Sequence, residues 1–566
     1  MFPLFRLLLL LASAAVASSG PVTFRAHALH VRAPLVRANV RASSADPGSG
    51  DEAPASTEEW RSFRARLVAQ EAKEQAASAE SPEGEVPLAD GPSDGWIIEL
   101  PIIEEGSVIL ASTQQRHGFG LHQQYFHKCA MLVLSHGPEF TRGIILNRPT
   151  PFRTDEGWPL WYGGDVQSLT EEREAREITC IHTLDLPAAE KMSLRVTPEI
   201  SYTSYEGAKE LVAQGVAQPS DFWTFCGYAG WGPGQLQSEL DRKTGSSWRL
   251  VSANGAVLLR ELIGQRRGGA TADDGGDGGG DGIDTWERLM RGIGQGVSEV
   301  DATSGGFADR MLREWIRVNL RPLAPTPALT VAAVAASAKP EGARSPVVLE
   351  EGSVLRSAAV HSSFTLGRQY LHKALVLLLR AGRQGSVGLV LNRPSAGHVA
   401  FPKSGKKRQV LFGGQLSLRD ANVLWFHRST NLAGEPIGAS GIFRTSSDSA
   451  LAAIARGNAV ESDFLCVHGV LAWGAGGLER EVAAGRFVPV VMPEHVPWDA
   501  IWKLAEPEGQ VSAKAGVGSA GGDAWEHVRA AEPAEILGGL ESEVADGDEE
   551  LADTALLKWV DSFLSS

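Results

Sequence analysis

Apolar residues along this chain fall into two kinds of pattern. Short runs, Val108 to Leu110, Ala130 to Leu134, Ile144 to Leu146 and Phe222 to Tyr228, are bounded by Gly, Asn and Pro and predict short strands. Ala208 to Gln214 and Gln235 to Arg242 predict helices. Leu312, Trp315, Ile316 and Leu320 lie three to four positions apart around one face, and so do Leu556, Trp559, Val560 and Leu564. Each set predicts an amphipathic helix whose apolar stripe docks on a core of its own; a stripe held open for a partner is the alternative. Residues 56–80 open on Ser and Thr with acids in the first turn and place Trp60, Phe63 and Leu67 at helical spacing, which predicts one more helix. The mixture lacks the regular strand, helix, strand rhythm of a doubly wound sheet.

These patterns occur twice. Glu105-Gly-Ser-Val108 returns as Glu351-Gly-Ser-Val354, Tyr125-Phe-His-Lys128 as Tyr370-Leu-His-Lys373, and the run ending Leu146-Asn147-Arg148-Pro149 as Leu391-Asn392-Arg393-Pro394. Gly163-Gly164 maps to Gly413-Gly414, and His182 maps to His427. Asp221 to Glu239 aligns without a gap to Asp463 to Glu481, Asp284-Thr-Trp-Glu287 pairs with Asp523-Ala-Trp-Glu526, and Ala308-Asp309 pairs with Ala552-Asp553. Such self-similarity predicts two tandem copies of one domain, at 96–321 and 346–566, joined by a Pro- and Ala-rich linker at 322–345. A linker and helix at 46–95 and a targeting segment at 1–45 come before them.

Composition bounds the partners. Residues 1–45 hold Arg6, Arg25, Arg32, Arg37 and Arg41 and no acid, so the chain's formal charge of −15 leaves −20 on the remainder. That sign argues against a nucleic-acid backbone. Arg6 followed by the apolar stretch Leu7 to Val16 reads as a signal peptide, and 21–45, rich in Arg, Ala and Ser, has transit-peptide composition. The pair resembles the two-part presequence of algae whose plastids lie inside extra membranes, which predicts a plastid address; the secretory pathway is the alternative. No later stretch is long and apolar enough to span a membrane. Cys129, Cys180, Cys226 and Cys466 form no C-x-x-C pair and have no Cys counterparts between copies, so they read as buried free thiols. The acidic glycine run at 273–284 lacks the closing Glu of a calcium loop and reads as a flexible connection. Of His117, His122 and His127, only His127 has a counterpart, His372, so neither a metal site nor a cofactor is expected.

Three features carry candidate chemistry. Pro149 and Pro394 end a strand and push the preceding Arg into extended geometry, so Arg148 and Arg393, beside Asn147 and Asn392, are aimed in a defined direction. Such a guanidinium either clamps a carboxylate or phosphate ligand or pairs with an acid of its own domain. The turn with Gly227, Trp231, Gly232 and Gly234, and its counterpart with Trp473, Gly474 and Gly476, leads into a helix. Its glycines either present backbone N–H groups to an anion or allow a tight turn against a packed Trp. His182 and His427 each close an apolar run, as a site residue or as a hydrogen-bonded structural His. No Gly-x-Ser-x-Gly elbow, His-Glu-x-x-His or P-loop ending is present.

Read together, Gly-Ser-Val, Leu-Asn-Arg-Pro, Gly-Gly, the run ending in His and the string Gly227 to Leu236 resemble the AlgH/YqgE family. The resemblance covers 96–320 and, in outline, 346–564. Glu59 to Ala69 also resembles the segment ahead of the domain in plant and algal members. What it implies is an α+β fold, a mostly antiparallel barrel-like sheet flanked by helices, with no established reaction and a transcriptional-regulator label in bacteria. The second copy departs from the pattern, with His468-Gly-Val-Leu-Ala in place of Cys226-Gly-Tyr-Ala-Gly. The expected function is a non-enzymatic module binding a protein or small anionic ligand. Alternatives are an enzyme with one pocket around Arg148, His182 and the 227–234 turn, and a transcriptional regulator, which the acidic charge disfavours.

Overall fold

The computed structural model describes residues 95–320 and 349–565, apart from 101, 114–118, 170, 243–244, 271–279, 295–299, 301, 402–403, 417–422, 491–492, 507–519 and 533–547. The targeting segment, the 56–80 helix, the interdomain linker and most of the acidic glycine run therefore lie outside the described residues. Those described fall into two compact units, one in each copy.

In the first unit the strands are β1 (Ile97–Glu99), β2 (Val108–Ala111), β3 (Ala130–His136), β4 (Thr141–Ile145), β5 (Pro149–Arg153), β6 (Pro159–Tyr162), β7 (Ile178–His182), β8 (Leu194–Arg195), β9 (Ser201–Ser204), β10 (Phe222–Cys226), β11 (Ala229–Trp231) and β12 (Trp248–Ala253). Its helices are α1 (Pro187–Met192), α2 (Tyr205–Ala213), α3 (Gln235–Leu240), α4 (Gly255–Ala270), α5 (Ile283–Gly292) and α6 (Phe307–Asn319). The strands form two six-stranded sheets, ordered β1-β12-β2-β3-β4-β11 and β5-β6-β10-β7-β9-β8. All pairs are antiparallel except β6 with β10. The fold is α+β as the pattern predicts, and among the described residues its sheets do not close into a barrel.

The second unit repeats the plan with β13 (Val354–Ser357), β14 (Leu375–Arg380), β15 (Ser386–Val390), β16 (Pro394–Ala400), β17 (Lys407–Phe412), β18 (Leu424–His427), β19 (Glu435–Pro436), β20 (Phe443–Thr445), β21 (Leu465–His468), β22 (Leu471–Trp473) and β23 (Phe487–Pro489). Its helices are α7 (Ser362–Leu366), α8 (Ser447–Ala455), α9 (Gly477–Ala483), α10 (Trp498–Lys503), α11 (Gly522–Ala531) and α12 (Glu549–Ser565). Its sheets run β22-β15-β14-β13-β23 and β16-β17-β21-β18-β20-β19, with the one parallel pair again in the same place, β17 with β21.

Each main core lies between the two sheets. Val108, Leu132 and Ile144 meet Trp161, Ile181 and Phe225, and Leu258, Trp286 and Leu289 from α4 and α5 join them. A second, smaller core packs α1 and α2 on the outer face of the second sheet around Trp158, Cys180 and Phe222. The closing helices dock on their own copies, as their stripes predict. Trp315 packs against Tyr125 and Tyr162, and Trp559 against Tyr370 and Phe412. The pattern reading missed α4, which ends at Ala270, just short of the acidic glycine run.

Candidate functional site

The strand-ending Asn-Arg-Pro builds a clamp whose partners are backbone carbonyls. Arg148 is fully buried, and its Nη1 donates to the carbonyls of Asn147 (2.9 Å) and Asp281 (3.1 Å), its Nη2 to that of His127. Arg393 makes the same bonds to Asn392, Ala520 and His372, and its Nε adds one to Tyr370. Beside it, Asn147 accepts from the Ala130 amide and donates to the carbonyls of Lys128 and Gly282, and Asn392 does the same with Leu375, Lys373 and Gly521. Gly282 (φ +74°) and Gly521 (φ +91°) begin α5 and α11, and a Cβ on either would sit under 2 Å from the Asn carbonyl oxygen it faces. Of the two readings of this Arg, the self-paired one is closer, but the acceptors are carbonyls and no acid is used.

The turn that the clamp grips carries a cluster the motif search overlooked. Lys128 and Lys373 have left-handed backbones (φ 49° and 52°), uncommon for a residue with a side chain. Lys128 reaches Asp309 at 3.1 Å and Glu287 at 3.3 Å, while His127 Nε2 meets the other Asp309 oxygen at 2.6 Å. His372, Lys373, Asp553 and Glu526 repeat the arrangement, with Glu549 added. Burial pushes the His127 and His372 imidazoles down. It also works against the charge of Asp309, but the His127 hydrogen bond and the Lys128 ammonium hold that carboxyl below its usual range. The sequence signal was the recurrence of His-Lys, Asp-x-Trp-Glu and Ala-Asp in both copies, separated by about 180 residues. Asp309→Asn is expected to cost about 3 kcal/mol, because it strips a buried ammonium of its nearest countercharge. Asp553→Asn should cost less, since Asp553 is 26% exposed against 1% for Asp309 and Lys373 keeps two other acids. Amide exchange in α6 and α12 measures both, and equal losses would contradict the assignment.

The glycine turn is a packing device. Trp231 is buried, and its indole N–H donates to Glu239, which also accepts from Trp248 at 2.6 Å. Gly232 donates its amide to the Gln235 side chain, and Gly234 and Gly476, both at φ +66°, start the short helices α3 and α9. Gly227 is left-handed at φ +79° and faces Gly164. In the second copy Trp473 packs on Phe487, Gly474 accepts from the Gly477 amide, and Glu481 takes Arg368 and Arg486. Gly163, Gly164, Gly413 and Gly414 mark where the sheets are stitched together. Gly163 donates to Cys226 and accepts from Ile145, both at 2.8 Å, and Gly413 donates to His468 (2.7 Å) and accepts from Val390 (2.8 Å).

His182 and His427 are fully buried at the other end of the second sheet. The Leu184 amide donates to His182 Nδ1 (3.2 Å), so the proton sits on Nε2 and is donated to Ser193 Oγ at 2.7 Å. In that tautomer His182 is no base for Ser193. His427 holds the same tautomer, with Nε2 donating to the Ala433 carbonyl at 3.2 Å and the ring stacked on Phe443. Beside His182 lies a small cavity of about 130 Å³ lined by Glu190, Ser193, Arg195 and Ser201. In the second copy a wider cleft of about 800 Å³ opens over Trp425 and Thr445 and reaches Glu435, Arg444, Ser446 and Ser449.

Burial lowers the His182 pKa to about 4. The unfolded chain, titrating near 6.5, takes up a proton first, so this stabilisation is complete above about pH 6.5 and is lost as the pH falls toward 4. His182→Gln is expected to flatten part of the acid slope in first-copy amide exchange, leaving the parts that His122, His127 and Asp309 supply. An unchanged slope would refute the assignment.

The three groups posited around one pocket are not together. His182 is paired with Phe222 at the start of β10, and Gly227 follows its end, about 16 Å away at about 3.3 Å per residue. Arg148, whose carbonyl accepts from Tyr162 opposite Cys226, is at the Gly227 end. The second copy has the same separation, with Phe412, bonded to Arg393, opposite His468. All four cysteines are free and buried, and burial pushes the Cys226 thiol up to about 11.

Comparison with known proteins places these features. The model of the AlgH-like family, DUF179, matches residues 117–270 and 359–504. A UPF0301 protein of Chlorobium luteolum is 29% identical over 175 residues, 29% of this chain and 82% of the relative. A UPF0301 protein of Streptomyces coelicolor is 30% identical over 159 residues, 25% of this chain and 79% of the relative. The solution structure of the AlgH protein from Pseudomonas aeruginosa is 20% identical, covers 27% of this chain and 79% of that one, and gives a TM-score of 0.22. Matched twice, over more than half of its length, the chain belongs to the AlgH-like family and carries its domain in tandem.

Proposed function

We propose that this chain is a non-enzymatic binding protein of the plastid, whose ligand face is the His-bearing end of the second sheet. The observation that carries the reading is the employment of the reactive groups. In both copies the Arg of Asn-Arg-Pro is consumed by carbonyls, the strand-ending His is fixed as a donor, and the His-Lys pair is spent on the closing helix. Cavities, by contrast, lie beside the β7–β9 and β18–β20 pairs, with the solvent-facing ion pairs Arg195–Glu190 and Arg444–Glu435 on their walls. Charge again argues against DNA as the ligand, since the net charge of −15 already counts the five presequence arginines.

Thermal-shift screening of the full chain against small carboxylates, phosphates and peptides tests the binding role. Stabilisation is expected, and it should be weakened by Arg444→Ala or Arg195→Ala. A screen without a stabilising compound would overturn it. Fusing residues 1–45 to a fluorescent protein tests the address, and accumulation outside the plastid would reject it.

A further inference from the structure

The two copies differ at one place on the outer face of the second sheet, and the difference identifies an occupant. In the first copy residues 183–193 connect β7 to β8 and contain α1. Ala189 of α1 is wholly buried against the cluster of Trp158, Cys180 and Phe222, with Ala188 and Met192 packed on it. Thr203, on the neighbouring strand, donates its hydroxyl to the Met192 carbonyl at the end of α1 (2.6 Å). In the second copy the corresponding connection is only residues 428–434, no helix forms there, and from it Leu432 packs against the cluster of Trp425 and Phe464.

Register fixes the equivalences. Cys180 pairs with Thr203 as Trp425 pairs with Thr445, and His182 with Ser201 as His427 with Phe443. Ser204 and Ser446 cap the following helices in the same way, accepting from the amides of Gly207 and Ser449. The position of α1 in the first copy is therefore the position of the cleft in the second, over Trp425 and Thr445. A six-residue helix, about 9 Å long and about 10 Å across, displaces on the order of 700 Å³. The cleft, about 800 Å³ and open to solvent on one side, leaves room for a segment of that size.

We infer that the second copy's cleft is a docking site for a short helical segment of a partner protein, which takes the seat that α1 fills in the first copy. This rests on the binding role proposed above and names its ligand class. The segment presents small apolar residues to Trp425, as Ala188 and Ala189 do to the first-copy cluster, and its last carbonyl accepts from the Thr445 hydroxyl. Arg444 at the rim, in the register place of Tyr202, is already paired with Glu435, so the apolar face and the last carbonyl of the segment, not a charge, are what the cleft selects.

The test uses the full chain and a fluorescently labelled peptide of residues 183–193. Anisotropy is expected to show saturable binding that is roughly fivefold weaker in Thr445→Val. Binding should vanish when residues 428–434 are replaced by 183–193, which fills the seat from within. Circular dichroism and thermal unfolding of both variants check that they are folded. Absence of peptide binding up to millimolar concentration, or binding that survives the replacement, overturns the inference. If the peptide fails while a small molecule stabilises the chain and loses its effect in the replacement variant, the helical partner is wrong and the binding role stands. If neither binds, both fall.

Discussion

Arg148→Met is expected to destabilise the first copy by about 4 kcal/mol, and Arg393→Met the second by at least as much. Methionine fills much of the same volume but donates nothing, so the carbonyls of Asn147, Asp281 and His127 lose their shared donor inside the protein. The carbonyls of Asn147 and His127 belong to buried residues and that of Asp281 to a half-buried one, and a charged donor to a carbonyl is among the stronger hydrogen bonds. Arg393 makes one bond more, through Nε to Tyr370, hence the larger effect. Amide exchange in the mutated copy, following α5 or α11 and the strand before the clamp, reads the loss. An Arg148→Lys variant separates the alternatives. If the role were charge toward an external anion, Lys would restore much of the stability and added phosphate would matter. For a planar fork holding several carbonyls, Lys is nearly as damaging as Met and phosphate changes nothing. Full recovery with Lys would contradict the clamp.

What was legible in the sequence was whatever depends on local order. Val108 to Leu110 and Ala130 to Leu134 read as strands because they are buried on both faces and continuous, and the closing helices because their stripes repeat at helical spacing. The duplication was legible because it needs only identity at a distance. The clamp was half legible. Proline fixes where Arg148 points, but the carbonyl of Asp281 comes from 133 residues away, and nothing in the local sequence announces it. The His-Lys cluster was printed in both copies, yet its members, His127, Lys128, Glu287 and Asp309, lie in blocks whose closeness only the fold provides. The cleft was illegible for a different reason. It follows from a connection four residues shorter in the second copy, and a length difference shows nothing of what the longer version covers.

Gly164→Ala is expected to prevent the first copy from folding, and Gly414→Ala the second, with losses on the order of 5 kcal/mol or more. At Gly164 a Cβ would lie 2.1 Å from the carbonyl carbon of Tyr228, and at Gly414 2.3 Å from that of Val470. Neither neighbour is a side chain able to rotate away. Both belong to backbone fixed by pairing, Tyr228 with Val166 and Val470 with Leu416. Relief therefore requires the sheets to part at the stitch, and with them the core of Trp161, Phe225 and Ile144 between them. Backbone strain alone is much cheaper, and the same copies supply the controls. Gly215 (φ +69°) and Gly457 (φ +75°) are left-handed with nothing within 4 Å of a Cβ. Gly215→Ala and Gly457→Ala should each cost only about 1 kcal/mol. Soluble yield and thermal unfolding of the four variants separate the two effects. If Gly164→Ala were no worse than Gly215→Ala, the close approach of the two backbone segments at Gly164 would be wrong. The paired glycines would then owe their place in both copies to something other than the join between the sheets.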